Sequence, residues 1–379
     1  EAAGMVSAPV HASVSGTVVD IQDAILANGQ MAPAVIIDND YQDEWTELVP
    51  CDHPDSLTAA ELTELIRNAG IVGLGGATFP TAVKLSPGPD KRIEMLILNG
   101  AECEPYLTAD HRLMLENAAE IVDGLKLMMK ALDVKTAVIG LENNKKDAAE
   151  ALEKAAAGAA GIQVKLLPVR YPQGGEKQLI YAITKRKVPT GGLPIDVGVV
   201  VCNVGTVYAI QQAIRLGRPL VERITTVGGL VKKPANFRVR IGTPIGDLVD
   251  ACGGMQQDVK QFIYGGPMMG MTIARTDIPV TKGCSGILAL NEPAMESKES
   301  ACIRCGRCVQ ACPMQLQPTK MDMHIRHDDY EGAEKLCLMS CIECGACTFV
   351  CPAKRSLTQS FRQGKAVIRM WKQAEKKGG

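Results

Sequence analysis

Apolar runs and helical repeats alternate through the middle of the chain. Short, continuous runs rich in Val, Ile and Leu predict strands, and segments with apolar positions three or four residues apart predict helices. Strands of this kind are typical of parallel sheets that are covered by helices on both faces. The pattern therefore predicts a Rossmann-like α/β domain. Its predicted strands cover residues 95–98, 136–141, 164–169 and 197–204, and its predicted helices cover residues 113–132, 145–157, 176–184 and 207–216.

A helix with a clear start precedes the first of these strands. Thr58 and Glu61 have the spacing of a capping box, in which each side chain satisfies a backbone N–H group of the first turn. Leu62, Leu65 and Ile66 follow at helical spacing and form the predicted apolar stripe. We therefore expect a capped amphipathic helix here.

The segments that flank the α/β region have other patterns. Residues 6–40 alternate like short antiparallel strands joined at a Ser-Gly turn, which predicts the remnant of a small N-terminal β domain with a structural role. Strand-like pieces around one short helix, residues 245–252, predict a small α+β module of β-grasp type. Its glycine-rich segment, residues 265–270, is predicted to be a loop.

The last quarter of the chain is predicted to be α-helical and to end in a basic, amphipathic helix that is exposed to solvent. These patterns give a multidomain architecture. Its predicted domains are a partial β-sandwich-like domain (1–50), the Rossmann-like domain (51–220), the β-grasp-type module (221–293), a cysteine-rich helical domain (294–360) and the basic C-terminal helix (361–379).

Two nearly identical cysteine runs lie in the predicted helical domain. They read Cys302-Ile-Arg-Cys305-Gly-Arg-Cys308-Val-Gln-Ala-Cys312-Pro and Cys341-Ile-Glu-Cys344-Gly-Ala-Cys347-Thr-Phe-Val-Cys351-Pro. Each is the C-x2-C-x2-C-x3-C-P run of bacterial two-cluster ferredoxins, in which the fourth cysteine ligates the other cluster. We therefore predict two [4Fe–4S] clusters. One is held by Cys302, Cys305, Cys308 and Cys351, and the other by Cys341, Cys344, Cys347 and Cys312.

Zinc and disulfides are the alternatives for these cysteines. A zinc ion needs only four ligands, and it gives no reason for a third regular cysteine or for the trailing Cys-Pro. Disulfides are typical of secreted chains, and nothing in this sequence indicates secretion. The spacing therefore favours iron–sulfur clusters over both.

The composition excludes several other classes of function. The chain has 41 basic and 42 acidic residues, so no overall field attracts nucleic acid or an acidic membrane. Aromatic residues make up only 4%, too few for the stacking platforms of a single-strand nucleic-acid binder. No run of about 18 apolar residues occurs, so we expect no segment to span a bilayer. Fourteen cysteines, most of them in the two runs, indicate assembly in a reducing cytoplasm.

A glycine-rich segment follows the first predicted helix. In Gly73-Leu-Gly75-Gly76-Ala-Thr-Phe79, three glycines let backbone N–H groups approach a phosphate or a flavin without interference from a Cβ atom. Lys84 follows closely and has a positive charge suited to a phosphate. The spacing differs from the G-x-G-x-x-G dinucleotide fingerprint, so on its own the segment also fits a plain turn.

Three further polar or glycine-rich segments follow predicted strands. Because the carboxyl ends of parallel strands meet at one edge of a sheet, we expect these segments to converge there, where such sheets bind ligands. Two of them open helices, whose N-termini suit phosphate groups. The glutamates in them are candidates for ribose or nicotinamide contact, and helix-start or loop solvation is their alternative role. The segments contain Asn99, Glu102 and Glu104, then Gly174 and Glu176, then Asn203 and Thr206.

Taken together, these motifs resemble one family. The Gly-Leu-Gly-Gly-Ala-Thr-Phe-Pro-Thr segment, the Asn-Gly-Ala-Glu-Cys-Glu-Pro segment and both cysteine runs closely resemble the C subunits of Rnf-type ferredoxin:NAD⁺ oxidoreductase complexes, over essentially the whole chain. More distantly, the α/β part is similar to the NADH-oxidising flavoprotein subunit of respiratory complex I. The chain departs from that subunit at Leu74, Thr78, Ala101 and Gly175, where complex I has arginine, glycine, aspartate and glutamate.

The resemblance implies FMN and NAD(H) as cofactors beside the two [4Fe–4S] clusters. It implies that the nicotinamide nucleotide and the flavin lie along Gly73, Gly75, Gly76, Phe79 and Lys84. Further residues would hold FMN and the approaching nucleotide, and they are Asn99, Glu104, Tyr171, Gly174, Glu176, Asn203 and Thr206. A nicotinamide transfers two electrons as hydride and each cluster carries one, so a flavin is needed between them. No side chain is expected to act as an acid or base.

The function implied is that of the NAD(H)-reactive flavin and iron–sulfur subunit of a membrane-bound oxidoreductase. Hydride passes between NAD(H) and FMN, and single electrons pass through the clusters to or from iron–sulfur and membrane subunits, with ferredoxin as an indirect partner. The expected location is peripheral, at the cytoplasmic face of the cell membrane. Two alternatives stay open at this point. They are a microcompartment-type cobalamin reductase built from the same modules, and an electron-wiring subunit that holds clusters but no flavin.

Overall fold

The computed structural model describes residues 4, 6–88, 90–256, 259–291 and 298–378. Their contacts divide the chain into two units. The first comprises Glu1–Lys187 and Pro194–Asn291, and the second comprises Val188–Leu193 and Glu292–Gly379. In the described part of the chain, no helix combines the length and the apolar character that crossing a membrane requires.

The first unit begins with a two-stranded antiparallel hairpin of β1 (Gly16–Ile25) and β2 (Met31–Asn39). The predicted Ser-Gly turn is wrong, because Gly16 opens β1 instead of joining two strands. Glycine is required there by a close approach to β2, since a Cβ atom would lie 2.0 Å from the carbonyl oxygen of Asp38. The chain turns at residues 26–30, where the N–H of Leu26 donates to the carbonyl of Gln30.

Two helices follow, α1 (Ala59–Asn68) and α2 (Thr81–Lys84). The predicted capping box of α1 is confirmed, because the side chains of Thr58 and Glu61 each accept a hydrogen bond from the other's backbone N–H. Such a cap contributes about 1 kcal/mol of helix stability. Leu62 and Ile66 are fully buried as predicted, whereas Leu65 lies on the exposed side of the helix.

A four-stranded parallel sheet forms the centre of the first unit, as the apolar runs predicted. Its strand order is β5-β4-β3-β6. The side chains of β3, β4 and β6 are buried on both faces, whereas the edge strand β5 is partly exposed. The elements are β3 (Met95–Asn99), α3 (Ala109–Glu116), α4 (Ala118–Ala131), β4 (Ala137–Glu142), α5 (Lys146–Ala155), β5 (Ile162–Leu167), α6 (Glu176–Thr184), β6 (Val199–Asn203) and α7 (Val204–Leu216).

The helix predicted over residues 113–132 is two helices. Asn117 separates them with a non-helical backbone, φ −131° and ψ 36°. Its N–H donates to Leu113 and its carbonyl accepts from Ile121, so it ends α3 and starts α4. Because both helices have apolar residues on a similar period, the pattern alone did not show the break.

The rest of the first unit is a five-stranded mixed sheet with one helix, which confirms the predicted α+β character. Its strand order is β10-β9-β11-β7-β8. The last two strands along the chain were not predicted, because one has three residues and the other follows a polar loop. The elements are β7 (Glu222–Gly229), β8 (Ala235–Arg240), α8 (Ile245–Ala251), β9 (Gln261–Tyr264), β10 (Met271–Ile273) and β11 (Gly286–Leu290).

The second unit is α-helical, as predicted. Its elements are α9 (Arg307–Gln310), α10 (Pro318–Arg326), α11 (Tyr330–Lys335), α12 (Ala346–Phe349) and α13 (Leu357–Gly378). The C-terminal helix is present as predicted, but it is not solvated on all sides. Leu357, Phe361 and Ile368 are buried in the core of this unit. We call this second unit the cluster unit.

Candidate cofactor sites

The parallel sheet reverses its winding between β3 and β6. From β3 the chain passes to β4 and β5 on one side, and it then returns to the opposite side of β3 to form β6. Asn99 ends β3 and lies opposite Asn203, which ends β6. Open α/β sheets bind ligands at such a reversal, beyond the carboxyl ends of the strands. The two asparagines therefore mark the expected ligand position.

The glycine-rich loop is fixed to the N-terminal end of α7. The N–H of Leu74 donates to Thr206 Oγ1 at 2.9 Å, and this buried hydroxyl lies 3.3 Å from the carbonyl of Val72. Gly75 lies against Asn203, since a Cβ atom on Gly75 would be 3.3 Å from Asn203 Cβ. The structure thus brings the loop to the end of β6, as predicted.

The other two glycines of the loop differ, because Gly73 lies against the backbone of Phe79 and Gly76 borders free space. The N–H of Gly73 donates to the carbonyl of Phe79 at 2.8 Å and closes the loop. Gly76 has φ +126°, and no atom would lie within 4 Å of a Cβ atom there. Within the described residues, the buried hydroxyl of Thr81 has no hydrogen-bond partner. Free space and an unsatisfied hydroxyl at a glycine-rich loop fit a phosphate-bearing cofactor.

Asn99 connects β3 to the segment after β5. Its Nδ2 donates to the carbonyl of Gly174 at 2.8 Å, and its Oδ1 accepts from the N–H of Ala101 at 3.2 Å. The N–H of Gly174 in turn lies 3.2 Å from the Cys103 sulfur. Burial raises the pKa of Cys103 to about 11, so the thiol stays neutral near pH 7. These contacts join two of the predicted segments at one edge.

Lys84 and Glu176 form an ion pair at the start of α6. Lys84 Nζ lies 3.5 Å from Glu176 Oε1, and it also donates to the carbonyl of Val201 at 3.1 Å. The side chains keep 30% and 42% of their exposure, so a ligand phosphate could reach the ammonium group. The pairing brings two predicted site residues together.

Glu104 joins the loop after β3 to the loop between β9 and β10. Its Oε2 accepts from the N–H of Met268 at 3.0 Å, and its Oε1 lies 3.5 Å from the Tyr171 hydroxyl. Burial raises the pKa of Glu104, whereas hydrogen bonds from Met268 and Met269 lower it. The peptide bond between Tyr171 and Pro172 is cis. The segment 265–270 is a loop, as predicted.

Glu102, a candidate for ribose or nicotinamide contact, has both carboxylate oxygens engaged within the chain. Its two oxygens accept the N–H groups of Asp110 and His111, at 2.7 and 2.9 Å. Burial, together with the nearby carboxylate of Asp110, raises the pKa of Glu102 to about 8. Because both oxygens satisfy the first turn of α3, the geometry favours the helix-start role for this residue.

A set of partly buried polar contacts around Asn203 and Lys145 was not predicted. Asn203 Nδ2 donates to Asp110 Oδ2 at 2.6 Å, and Asn203 Oδ1 caps α7 by accepting the N–H of Gly205. Lys145 is also buried and donates to the carbonyl of Ala101 at 2.8 Å. Asp110 lies in the first turn of a helix, where an acidic residue is common. No sequence pattern indicates that its side chain meets Asn203.

The two cysteine runs of the cluster unit have the same backbone conformation. The N–H of Arg304 lies 3.4 Å from the Cys302 sulfur, and the N–H of Glu343 lies 3.4 Å from the Cys341 sulfur. Left-handed residues recur at matching positions, and the pairs are Arg304 with Glu343, Gly306 with Gly345 and Gln315 with Lys354. The repeated sequence therefore produces a repeated structure.

The fourth cysteine of each run lies near the other run. One cavity is lined by four cysteines from both runs, and they are Cys312, Cys341, Cys344 and Cys347. Burial raises the pKa of Cys347, and the other three thiols raise it further. Burial likewise raises the pKa of Cys308, with Cys351 adding to it. Thiols that disfavour each other's ionisation fit a site for cationic iron, and their grouping supports the crossed ligand sets.

Among the residues described, no three His, Cys, Asp or Glu side chains are arranged to hold a single metal ion.

Comparison with protein families matches four regions of the chain. Residues 66–212 match the Nuo51 FMN-binding domain, and residues 295–356 match the 4Fe-4S dicluster domain. Residues 1–42 match the RnfC barrel sandwich hybrid domain, and residues 224–272 match the SLBB domain. The first match contains all the glycine-rich and polar segments at the sheet edge.

The fold also resembles a solved structure of an NAD⁺-reducing [NiFe]-hydrogenase in the H2-reduced state. The TM-score is 0.57 at 17% identity, over 83% of this chain and 63% of the hydrogenase chain. At this identity the likeness concerns the fold alone.

Similar proteins extend over nearly the whole chain. The C subunit of the proton-translocating ferredoxin:NAD(+) oxidoreductase complex of Clostridium ljungdahlii is 51% identical, over 98% of this chain and 82% of that protein. Its counterpart in the Na(+)-translocating complex of Acetobacterium woodii is 49% identical, over 96% and 83%. The counterpart in the ion-translocating oxidoreductase complex of Rhodobacter capsulatus is 45% identical, over 97% and 72%. The chain belongs to this family, the C subunits of ion-translocating ferredoxin:NAD(+) oxidoreductase complexes.

Proposed function

We propose that this chain exchanges hydride between NAD(H) and FMN, and that it passes single electrons through two [4Fe–4S] clusters to or from other subunits of a membrane-associated complex. One observation carries the proposal. A single chain of this family has a sheet edge suited to ligands inside the region that matches the FMN-binding domain, and it also has two cysteine runs inside the region that matches the 4Fe-4S dicluster domain. Bound FMN would supply the conversion between paired and single electrons. We call the site at residues 73–79, 99–104, 171–176 and 203–206 the flavin edge.

At the flavin edge, the protein is proposed to bind the phosphate of the cofactor and to orient the flavin and nicotinamide rings. The N-termini of α6 and α7 present backbone N–H groups and partial positive charge to an anion. The glycine-rich loop lets a ligand approach the backbone, and Thr206 fixes that loop in place. Asn99 and Asn203 end the neighbouring strands β3 and β6 at the position where a flavin ring would bind.

Other residues are proposed to receive the nicotinamide nucleotide. Phe79 is 37% exposed and can pack against an aromatic ring. Tyr171 and Glu104 lie side by side as polar groups, and Glu104 accepts a hydrogen bond from the N–H of Met268. Lys84 can exchange its contact with Glu176 for a phosphate.

In the cluster unit, we propose that the cysteines act as thiolates in the crossed sets, Cys302, Cys305, Cys308 and Cys351 for one cluster and Cys341, Cys344, Cys347 and Cys312 for the other. A bound cluster would be held by the deprotonated thiols, and its iron would offset the burial and the mutual repulsion that raise the pKa values of Cys308 and Cys347.

The names of the similar proteins supply the proposed context. They are subunits of complexes that translocate protons or Na(+) and react with ferredoxin and NAD(+). We place this chain as a peripheral subunit at the cytoplasmic face of the membrane, with NAD(H) bound directly and ferredoxin reached through partner subunits. The ion pumping itself belongs to those partners.

Visible spectroscopy of the anaerobically purified and reconstituted protein tests the proposal. We expect a flavin absorbance band at about 450 nm that is bleached by NADH. We also expect an iron content of about eight per chain. Irons without a yellow cofactor would support the electron-wiring alternative instead. Reduction of cobalamin by the NADH-reduced protein would support the cobalamin-reductase alternative, which the family comparison does not favour.

A further inference from the structure

The two cysteine runs share a backbone but differ in the charge beside it. Arg304 of the first run and Glu343 of the second occupy matching left-handed positions, each with its N–H on a cysteine sulfur. The first run is the more open to solvent, because Cys302 and Cys305 are exposed and only Cys308 is buried. The second run is covered, because Cys344 and Cys347 are buried. The same local structure therefore lies in two different electrostatic environments.

A buried cation accompanies the covered run. Lys365 lies on α13 with only 7% of its side chain exposed. Its Nζ donates to the carbonyl of Cys341 at 2.8 Å and to Glu343 Oε1 at 2.5 Å. Arg362, one turn earlier and 40% exposed, binds the other oxygen of Glu343 at 3.3 Å. The ammonium group is thus fixed on the backbone of a predicted cluster ligand.

A fixed charge changes the ease with which a nearby cluster accepts an electron. Reduction adds one negative charge, so a cation stabilises the reduced form and raises the midpoint potential, whereas an anion lowers it. The effect is strong for a buried charge and weak for an exposed one, because water screens the latter. Lys365 is buried, and Arg304 lies on the exposed run.

We propose that Lys365 and Glu343 set the midpoint potential of the cluster held by Cys341, Cys344, Cys347 and Cys312, separately from that of the other cluster. The inference rests on the proposed function only in requiring that the clusters are present. In the folded chain, the two side chains form a charge pair whose members act in opposite directions. Lys365→Met leaves Glu343 with only the more exposed Arg362 as a cation, and Glu343→Gln leaves Lys365 without the carboxylate that it contacts. The first change removes a positive charge and the second a negative one, so the two single variants shift the potential with opposite signs.

The test is a redox titration of the reconstituted, full-length protein with chemical mediators, followed by electron paramagnetic resonance. Lys365→Met should lower the potential of one of the two iron–sulfur signals, and Glu343→Gln should raise the potential of the same signal. Lys365→Arg keeps the positive charge, so the midpoint potential of this signal should stay close to the wild-type value. Arg304→Gln is the matched control on the exposed run, and it should leave that signal in place.

Several outcomes would overturn the proposal. They are unchanged potentials in both Lys365→Met and Glu343→Gln, shifts of the same sign, or equal shifts of both signals. If Lys365→Met loses iron, Glu343→Gln decides alone, because it retains the cation. A wild-type protein without iron–sulfur signals would instead contradict the proposed function. The titration uses no NADH, so a failure of hydride transfer does not affect it.

Discussion

The flavin edge and the cluster unit are built in opposite ways. At the flavin edge, the hydrogen bonds that hold the loops join residues that are far apart in the chain. Leu74 and Thr206 are 132 positions apart, and Glu104 and Met268 are 164 positions apart. In each cysteine run, the N–H that meets the first sulfur lies only two positions away. The flavin edge is therefore assembled by tertiary packing. The cysteine runs depend on a local backbone conformation that occurs twice.

This difference has a consequence for how each site fails. Contacts at the flavin edge share partners, since Asn203 touches Asp110, Gly75 and the start of α7. A change in one of them is expected to disturb several segments. A change in one cysteine run should stay with the cluster that it ligates. The proposed exchange of the fourth cysteine between the runs would add a long-range feature to this local design.

The largest expected effect tests that exchange. Cys351→Ala should lower the iron content from about eight to about four per chain. It should abolish the same resonance signal as Cys302→Ala, because both residues belong to one predicted cluster. Cys312→Ala should abolish the other signal, together with Cys344→Ala. If Cys351→Ala and Cys344→Ala remove the same signal, the ligand sets are not crossed, and each run holds its own cluster.

A smaller effect is expected from pH at the flavin edge. The pKa of Glu102 is raised to about 8 in the folded chain, above its usual value of 4.5. The folded state therefore binds more protons than the unfolded state between these values, so the free energy of unfolding falls as pH rises from about 5 to 8. The loss is on the order of a few kcal/mol, since each pKa unit corresponds to about 1.4 kcal/mol.

Denaturant unfolding at pH 5, 6, 7 and 8 measures this slope. Glu102→Gln stays neutral and should flatten the profile, while Glu94→Gln, at an exposed ion pair with Arg186, should leave it unchanged. If the free energy of unfolding falls with pH equally in the wild type and in Glu102→Gln, protonation of Glu102 is not the cause of the slope.

The smallest expected effect concerns a single anchor of the glycine-rich loop. Thr206→Val has nearly the same shape but leaves the buried N–H of Leu74 without its acceptor, which costs about 1–3 kcal/mol. If that cost falls on the bound conformation, FMN binding weakens by about tenfold or more. Thr206→Ser keeps the hydroxyl and should retain the flavin. Fluorescence titration of FMN compares the two, and equal affinities would contradict the anchoring role.

Secondary structure was predictable from the sequence wherever one period dominated. The parallel strands, α6 and the capping box of α1 followed from apolar spacing and end signals. The break at Asn117 and the short strand β10 did not, because neither changes the period over enough residues. The C-terminal helix was predicted, but its burial was not, because an amphipathic stripe does not specify what it packs against.

The sequence by itself determined the chemistry of this protein. The two cysteine runs, the glycine-rich loop and the asparagines at strand ends are all local patterns, and local backbone geometry decides what such patterns can bind. Only the tertiary structure decided which groups meet, such as Asp110 with Asn203 and Lys365 with Glu343. It also showed that Glu102 serves a helix, whereas the sequence left both roles open. The reason is physical, because burial and long-range contact depend on the whole chain, whereas spacing depends only on neighbours.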